Sequence, residues 1–351
     1  MQRTVLIIHP GALGDVLLSL RAIRGLRGQY PSHEIGIVTG WQVGNLLRAC
    51  HEVEEVFSLE SNALASLLVG PESVSPPLRG WLARCDLAVC WMTDPGHRLY
   101  SVLPKLGVSR VIQQSSLSSA CKSVHQTDRV METVREMIPI GDYGWRLLIP
   151  DQVIAAGRAR LAELGILEGQ PVVAIHPGSG SRHKCCVPTL LARVVTWLQA
   201  NDVCPLLVGG PADDDRVTSL SRICEKPPLV LQRVDLLSVA GGLAHVDLFV
   251  GHDSGLTHLA AALHLPAVAL FGPTDPRRWA PRGSNVTILT GEDCRCLGWD
   301  AVRACLDRPC LQIPVERLIQ ACERALRRQE RVLCSIQDRT AGCLVRSSKL
   351  C

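Results

Sequence analysis

"LIIHPGALGD" (Leu6–Asp15) and "AIHPGSGSRHK" (Ala174–Lys184) share the core Ile-His-Pro-Gly about half a chain apart. In each, a run of aliphatic and β-branched residues, Val5–Ile8 or Val172–Ile175, meets a glycine-containing turn and is followed by residues at helical spacing. Each stretch therefore reads as strand, loop and helix.

The flanking sequence repeats that alternation. In the first half Val5–Ile8 reads as a strand, Asp15–Leu26 as a helix, "EIGIVTG" (34–40) as a strand and Leu87–Cys90 as another. Ser66–Gly80 contains three prolines and is expected to be a surface loop. "PDQVIAAGRARLAELGILEGQP" (150–171) holds one amphipathic helix between prolines and marks a domain boundary. The second half continues with a strand at Val172–Ile175, a helix at Thr189–Gln199, strands in "CPLLVGG", "DLFVGHD" and "PAVALFG", and a helix at Gly255–Leu263 between the last two. A last helix is expected at Val315–Arg328.

A chain of 351 residues exceeds what one hydrophobic core usually supports, so two domains of roughly 150 residues are expected. The predicted fold is α/β, with two Rossmann-like, doubly wound domains over 1–150 and 151–330 and a loosely ordered tail at 331–351.

Composition narrows the function. The chain is 47% hydrophobic and 20% charged, as globular proteins are, and only 4% aromatic. A net charge of +4 spread along the chain is too weak for nucleic-acid binding, and no Lys/Arg tract is interleaved with aromatic residues. Met1 leads directly into a strand and no apolar run approaches 18 residues, so a cytoplasmic protein without a membrane span is expected. Most of the sixteen cysteines read as small buried hydrophobes. Cys294, Cys296, Cys305 and Cys310 cluster within seventeen residues, but their spacing departs from paired C-x2-C elements, which leaves a metal and free thiols both open.

In doubly wound sheets, ligands sit beyond the carboxyl ends of strands, where unpaired amides and the helix dipole favour an anion. The turn Gly11-Ala-Leu-Gly14 is not G-x-G-x-x-G, and the second strand ends at Val38-Thr39 without a ribose-binding carboxylate, which disfavours NAD. No G-x-x-x-x-G-K-[ST] occurs, and no G-x-S-x-G, so a P-loop enzyme and an α/β-hydrolase are excluded at the motif level. The most informative stretch is "GHDSGLTHLAAALHLPAVALFGPTDP" (251–276). Asp253, Ser254, Gly255 and Thr257 crowd the start of an Ala-rich helix, a place that suits a diphosphate. Ser254 and His258, four apart, share the face nearest that end. The plainer reading is a helix cap, which needs only one such residue.

Taken in order, "GALGDVLLSL", "IHPGSGSRHK", "DLFVGHDSGLTHLAAALHLPAVALFGPTDPRRWAP" and the late cysteines resemble the heptosyltransferase family of glycosyltransferases, family 9. The resemblance runs along nearly the whole chain and implies a GT-B architecture, two Rossmann-like domains facing a cleft. It implies an inverting, metal-independent transferase, without a cofactor, that moves a heptose from ADP-heptose to a lipopolysaccharide inner-core or related acceptor. That acceptor is lipid-linked and anionic. Peripheral contact with the inner leaflet through Arg98, Lys105, Arg110 and Lys122 would follow.

Residue by residue, the resemblance makes Asp15 the base and Lys184 the cation that meets the diphosphate, with Gly14, Ser179, Gly180 and Ser181 beside them. It assigns Asp253, Ser254, Gly255 and His258 to the phosphate-holding helix start. It assigns Asp214 or Asp215 of "GGPADDDRV" to the ribose, three consecutive Asp leaving the register open. In "HQTDRV" it makes His125 and Arg129 acceptor-side contacts. Arg21 replaces a usual Pro, and Cys186 stands where a Trp commonly follows the Lys. A sugar-nucleotide epimerase or hydrolase on the same fold, and a catalytically idle nucleotide-sugar-binding protein, are the rival readings.

Overall fold

The computed structural model describes residues 2–114, 124–293 and 296–327. The expected tail at 331–351, Lys122 and Cys294 lie outside the described residues.

Eleven strands form two all-parallel sheets among the described residues. The first contains β1 (Thr4–Ile8), β2 (Glu34–Thr39), β3 (Glu55–Ser58), β4 (Cys85–Cys90) and β5 (Arg110–Gln113), in the order β3-β2-β1-β4-β5. The second contains β6 (Val172–His176), β7 (Cys204–Gly209), β8 (Leu229–Gln232), β9 (Leu248–His252), β10 (Ala267–Phe271) and β11 (Val286–Thr290), in the order β11-β10-β9-β6-β7-β8. β1 registers Thr4 against Glu34 on one side and Ile8 against Cys90 on the other. β6 registers Ile175 against Leu207 and against Val250.

Helices cover both faces of each sheet, so central strands must be apolar on both sides. β1, β6, β9 and β10 are buried at every position. The strand order reverses at β1/β4 in the first sheet and at β6/β9 in the second. Such switch points open a crevice at the strand ends. They select the loops after β1, β6 and β9, which carry Asp15, Lys184 and Asp253.

Three expectations change. The prolines at 71, 76 and 77 do not hold Ser66–Gly80 as a loop: they start a short turn at Pro71–Ser73 and a helix at Pro76–Leu82. Proline fits the first helical turn because its missing N–H has no partner there anyway. The expected helix Asp15–Leu26 is two helices, Leu13–Leu18 and Leu20–Gln29, divided where the Ser19 hydroxyl donates to the Val16 carbonyl at 2.7 Å. Finally, β3, β5, β8 and β11 carry no clear sequence signal, and they are the four sheet edges.

The two halves meet where helix Leu13–Leu18 packs its first turn against that of helix Gly255–Ala262. A Cβ at Gly14 would stand 2.9 Å from His258 Cδ2, and one at Gly255 would stand 2.9 Å from Leu13 Cβ. Glycine on both sides lets the two helix starts approach this closely.

Candidate active site between the two sheets

On the first wall, the chain leaves β1 through His9, Pro10 and Gly11. The Gly11 N–H donates to His9 Nδ1 at 3.3 Å, and the ring stands edge-on to Trp91. Complete burial pushes the His9 pKa down to about 4, so the ring is neutral near pH 7. Asp15 follows in the first helical turn, where its carboxylate accepts the Ala12 N–H at 3.1 Å. It thus supports the helix start and also faces the cleft. Burial raises its pKa above the ordinary value, partly offset by the Ala12 hydrogen bond and the charge of Lys184, while the charge of Asp253 adds to the rise. A carboxyl with a raised pKa that senses groups on the other domain is a candidate base.

On the second wall, Lys184 Nζ donates to Asp253 Oδ2 at 2.8 Å. The Thr274 hydroxyl donates to the same oxygen at 2.7 Å, and the Ser179 hydroxyl donates to the Asp253 carbonyl at 2.6 Å. Ser254 caps helix Gly255–Ala262 by accepting the Thr257 N–H. His176 binds Ser254 Oγ through Nδ1 at 3.0 Å and Asp213 Oδ2 through Nε2 at 3.1 Å. Burial alone would raise the Asp213 pKa, but the hydrogen bond and charge of His176, the Gly210 N–H and Arg216 hold it below the usual range. An ionised Asp213 takes the Nε2–H of His176, which turns Nδ1 toward the Ser254 hydroxyl.

His252, at the end of β9, accepts the Cys186 N–H at Nε2 (3.1 Å) and reaches the Gly178 carbonyl from Nδ1 (3.2 Å). It pins both ends of the Lys184 loop. Burial pushes its pKa down to about 3 and that of His258 down to about 4.

Among the expected residues, Asp15, Lys184, Ser179, Asp253, Ser254, Gly14, Gly255 and His258 converge on one cleft. Ser181 accepts the His183 N–H and starts the short turn Arg182–Lys184, and Gly180 faces open space. Asp214 turns elsewhere, its carboxylate held by the Gln232 amide and by Arg233. Its neighbour Asp213 enters the His176 network. His125 Nε2 donates to the Ala280 carbonyl at 2.9 Å, while its Nδ1 accepts from Arg282 Nε at 3.1 Å and from the Thr127 N–H. Arg282 also pairs with Asp128 at 2.6 Å, so His125 belongs to the seam between the halves. Arg129 is buried one helical turn further on, its N–H on the His125 carbonyl. Of the late cysteines, Cys310 is buried and Cys296 and Cys305 are half-buried. Sequence reasoning missed His176, Asp213, Thr274 and His252. The repeated Ile-His-Pro-Gly pointed to His176, whereas the other three gain their roles only from strands brought together by folding.

Fold and site thus define a two-sheet α/β protein of GT-B architecture, with a half-buried carboxylate, Asp15, on one wall of the cleft and an open helix start, at Gly255, on the other. The model of glycosyltransferase family 9 (heptosyltransferase) matches residues 130–298. Lipooligosaccharide heptosyltransferase 2 of Haemophilus influenzae is 43% identical over 306 residues, covering 81% of this chain and 88% of that protein. Lipopolysaccharide heptosyltransferase 3 of Escherichia coli is 31% identical over 142 residues, and the match spans 39% of this chain and 41% of that protein. The solved structure of E. coli ADP-heptose lps heptosyltransferase II superposes with a TM-score of 0.74 at 17% identity, covering 93% of this chain and 99% of that one. The chain belongs to glycosyltransferase family 9, the heptosyltransferases.

Proposed function

We propose that this protein transfers a heptose from ADP-heptose, with inversion and without a metal ion, to a lipid-linked, anionic glycan of the lipopolysaccharide inner core. One observation carries the reading: the helix start that holds Asp15 packs directly on the one that follows Asp253, Gly14 against His258 and Gly255 against Leu13, so Asp15 faces the charges of Lys184 and Asp253. That proximity supports reading Asp15 as the base and Lys184 as the cation that meets the diphosphate.

In the proposed step, the Asp15 carboxylate removes the proton of an acceptor hydroxyl as its oxygen attacks the anomeric carbon from the face opposite the diphosphate. The bond from the anomeric carbon to the diphosphate oxygen breaks, and the negative charge passes to the departing ADP. Lys184 and the free amides at the start of helix Gly255–Ala262 receive that charge. Asp253, whose Oδ2 also accepts the Thr274 hydroxyl, holds Lys184 before the donor arrives. Ser254 Oγ is engaged by His176 Nδ1 and Thr257 Oγ1, so the helix amides, rather than this hydroxyl, face the diphosphate as donors.

The division of labour follows the boundary near residue 150, with acceptor and base on the first domain and donor on the second. No helix among the described residues is long and apolar enough to cross a membrane. Arg98, Lys105 and Arg110 are exposed on the first domain and support peripheral contact with anionic lipid at the inner membrane.

The test combines three measurements on the purified chain. Thermal shifts against ADP, ADP-heptose, UDP, GDP and NAD should show stabilisation by the adenine diphosphates alone. Transfer to a heptose-deficient lipopolysaccharide core should persist in excess chelator and invert the anomeric configuration. Stabilisation by UDP compounds would remove the donor assignment, and release of free heptose regardless of acceptor would make the protein a hydrolase.

A further inference from the structure

A roomy cavity lies outside the cleft just described, on the far side of the loop that carries Lys184. It holds about 940 Å³. Lys184 turns toward Asp253, whereas its neighbours Arg182, Cys185 and Cys186 line this second space. Four arginines face it: Arg182, Arg193, Arg216 and Arg308.

Their pairing is unequal. Arg193 is matched with Glu316 at 3.5 Å. Arg182, Arg216 and Arg308 have no carboxylate within ion-pair distance among the described residues, although Asp215 and Asp307 share the lining. Arg216 and Arg308 instead donate to one and the same oxygen, the Arg182 carbonyl, at 3.3 and 3.5 Å. Three guanidinium groups are thus gathered beside one cavity with no carboxylate in ion-pair contact among the described residues, an arrangement whose like-charge repulsion a bound anion would relieve. The depressed pKa of nearby His183 has burial and then the charges of Arg308, Arg182 and Arg303 as its causes, which reports the same positive field.

The rim adds a second character. Val187 and Leu306 line the cavity and are 65% and 92% exposed. Cationic groups beside exposed aliphatic ones suit a molecule with a charged head and an apolar neighbour. Helices Pro188–Ala200 and Asp214–Ile223, and the helix at 315–327, also begin on this wall, so their positive ends add to the field.

We infer that this cavity is a second anion site, built for a phosphate-bearing group carried by a lipid headgroup or a soluble phosphate ester, and separate from the cleft that holds Lys184 and Asp253. Guanidinium forks match phosphate oxygens two at a time, which a single lysine cannot do. The inference does not depend on which sugar the cleft transfers.

The probe is inorganic pyrophosphate, read as a rise in the melting temperature of the full chain. Because the cleft is itself proposed to take a diphosphate, the site is read in the Lys184→Ala background: Lys184→Ala should keep a response, and adding Arg216→Glu/Arg308→Glu to it should abolish what remains. Arg182→Ala, at an exposed position that leaves the fold intact, should weaken apparent affinity about tenfold. Co-sedimentation with phosphatidylcholine vesicles, with and without roughly 30% phosphatidylglycerol, separates the two sources. Binding to the anionic vesicles that the arginine variants lose assigns a lipid headgroup, and a pyrophosphate response without vesicle binding assigns a soluble phosphate ester. A response lost in Lys184→Ala but kept in the arginine variants, or no response to millimolar pyrophosphate, overturns the inference.

Discussion

The two Ile-His-Pro-Gly turns start from the same four residues and end in different chemistry. In the first, His9 is used locally: its Nδ1 takes the Gly11 N–H two residues on, and the ring rests on Trp91. In the second, His176 joins residues 37 and 78 positions away, Asp213 and Ser254. Both histidines end a buried central strand and anchor a loop. The difference lies in the strands beside them. β6 is flanked by β7 and β9, whose following loops bring Asp213 and Ser254, whereas the β1 histidine meets an aromatic edge and the backbone of its own turn. One motif thus anchors the turn before Asp15 in one half and, in the other, centres a buried network that joins Asp213 to Ser254.

The comparison is sharpened most by removing the base. Asp15→Asn should lower transfer about 10²–10⁴-fold with little change in ADP-heptose affinity, measured by kcat and by thermal shift. The folded chain holds this carboxyl above its ordinary pKa, so its contribution to stability is present at low pH and is lost as pH rises through the folded value. The amide should therefore melt no lower than wild type at neutral pH. A variant that keeps full transfer would remove Asp15 as the base.

On the other wall, Lys184→Ala should raise the apparent Kd for ADP-heptose about 10- to 100-fold, since it removes a charged partner of the diphosphate. Titration calorimetry measures this directly. Unchanged donor affinity would leave Lys184 as a partner of Asp253 and nothing more.

The matched glycines test the turns themselves. A Cβ at Gly178 would overlap the Asp213 carboxylate and lie 2.9 Å from His176 Nε2, whereas one at Gly11 would meet His9 Cε1 at 2.8 Å and Asp15 Cβ at 2.9 Å. Gly178→Ala should destabilise by about 1–3 kcal/mol and weaken donor binding, and Gly11→Ala should impair transfer more than donor binding. Gly180→Ala, facing open space, should change neither. Denaturant titrations with donor-binding assays separate these outcomes. Equal effects at Gly178 and Gly180 would break the distinction between a packed and an open part of the loop.

The smallest effect concerns acid. Burial pushes His9 and His258 down to about 4 and His252 down to about 3, against an ordinary histidine value of 6.5. Their stabilising contributions are complete above the unfolded value and are lost as pH falls through the folded ones. Unfolding midpoints should decline between about pH 6.5 and 4. His252→Gln, which removes one of the three protons taken up on unfolding, should flatten that decline, and an unchanged slope would show that this ring titrates normally.

Much of this was readable without coordinates, for a physical reason. Central parallel strands are buried on both faces, so Val5–Ile8, Leu87–Cys90 and Val172–Ile175 stand out as continuous apolar runs. Edge strands bury less: β5 has no fully buried position, and β8 and β11 have one each. Such strands carry no run to read. In the site, Asp15, Lys184 and the Asp253–His258 segment follow directly from strand ends and helix starts. The three aspartates 213–215 do not, because a one-residue shift along a helix start turns a side chain from the β6 network toward Gln232 and Arg233.

The amino-acid sequence by itself determined two strand-loop-helix openings, the α/β alternation around them and the residues at the first helical turns, since these depend on local apolar runs, glycines and caps. Only the tertiary structure decided that Gly14 would meet His258, that Asp15 would sense Lys184, that His125 would tie the seam, and that three unpaired arginines would share a second cavity. Each of these joins residues distant in the chain, and their approach is set by sheet order and helix packing, which no local pattern encodes.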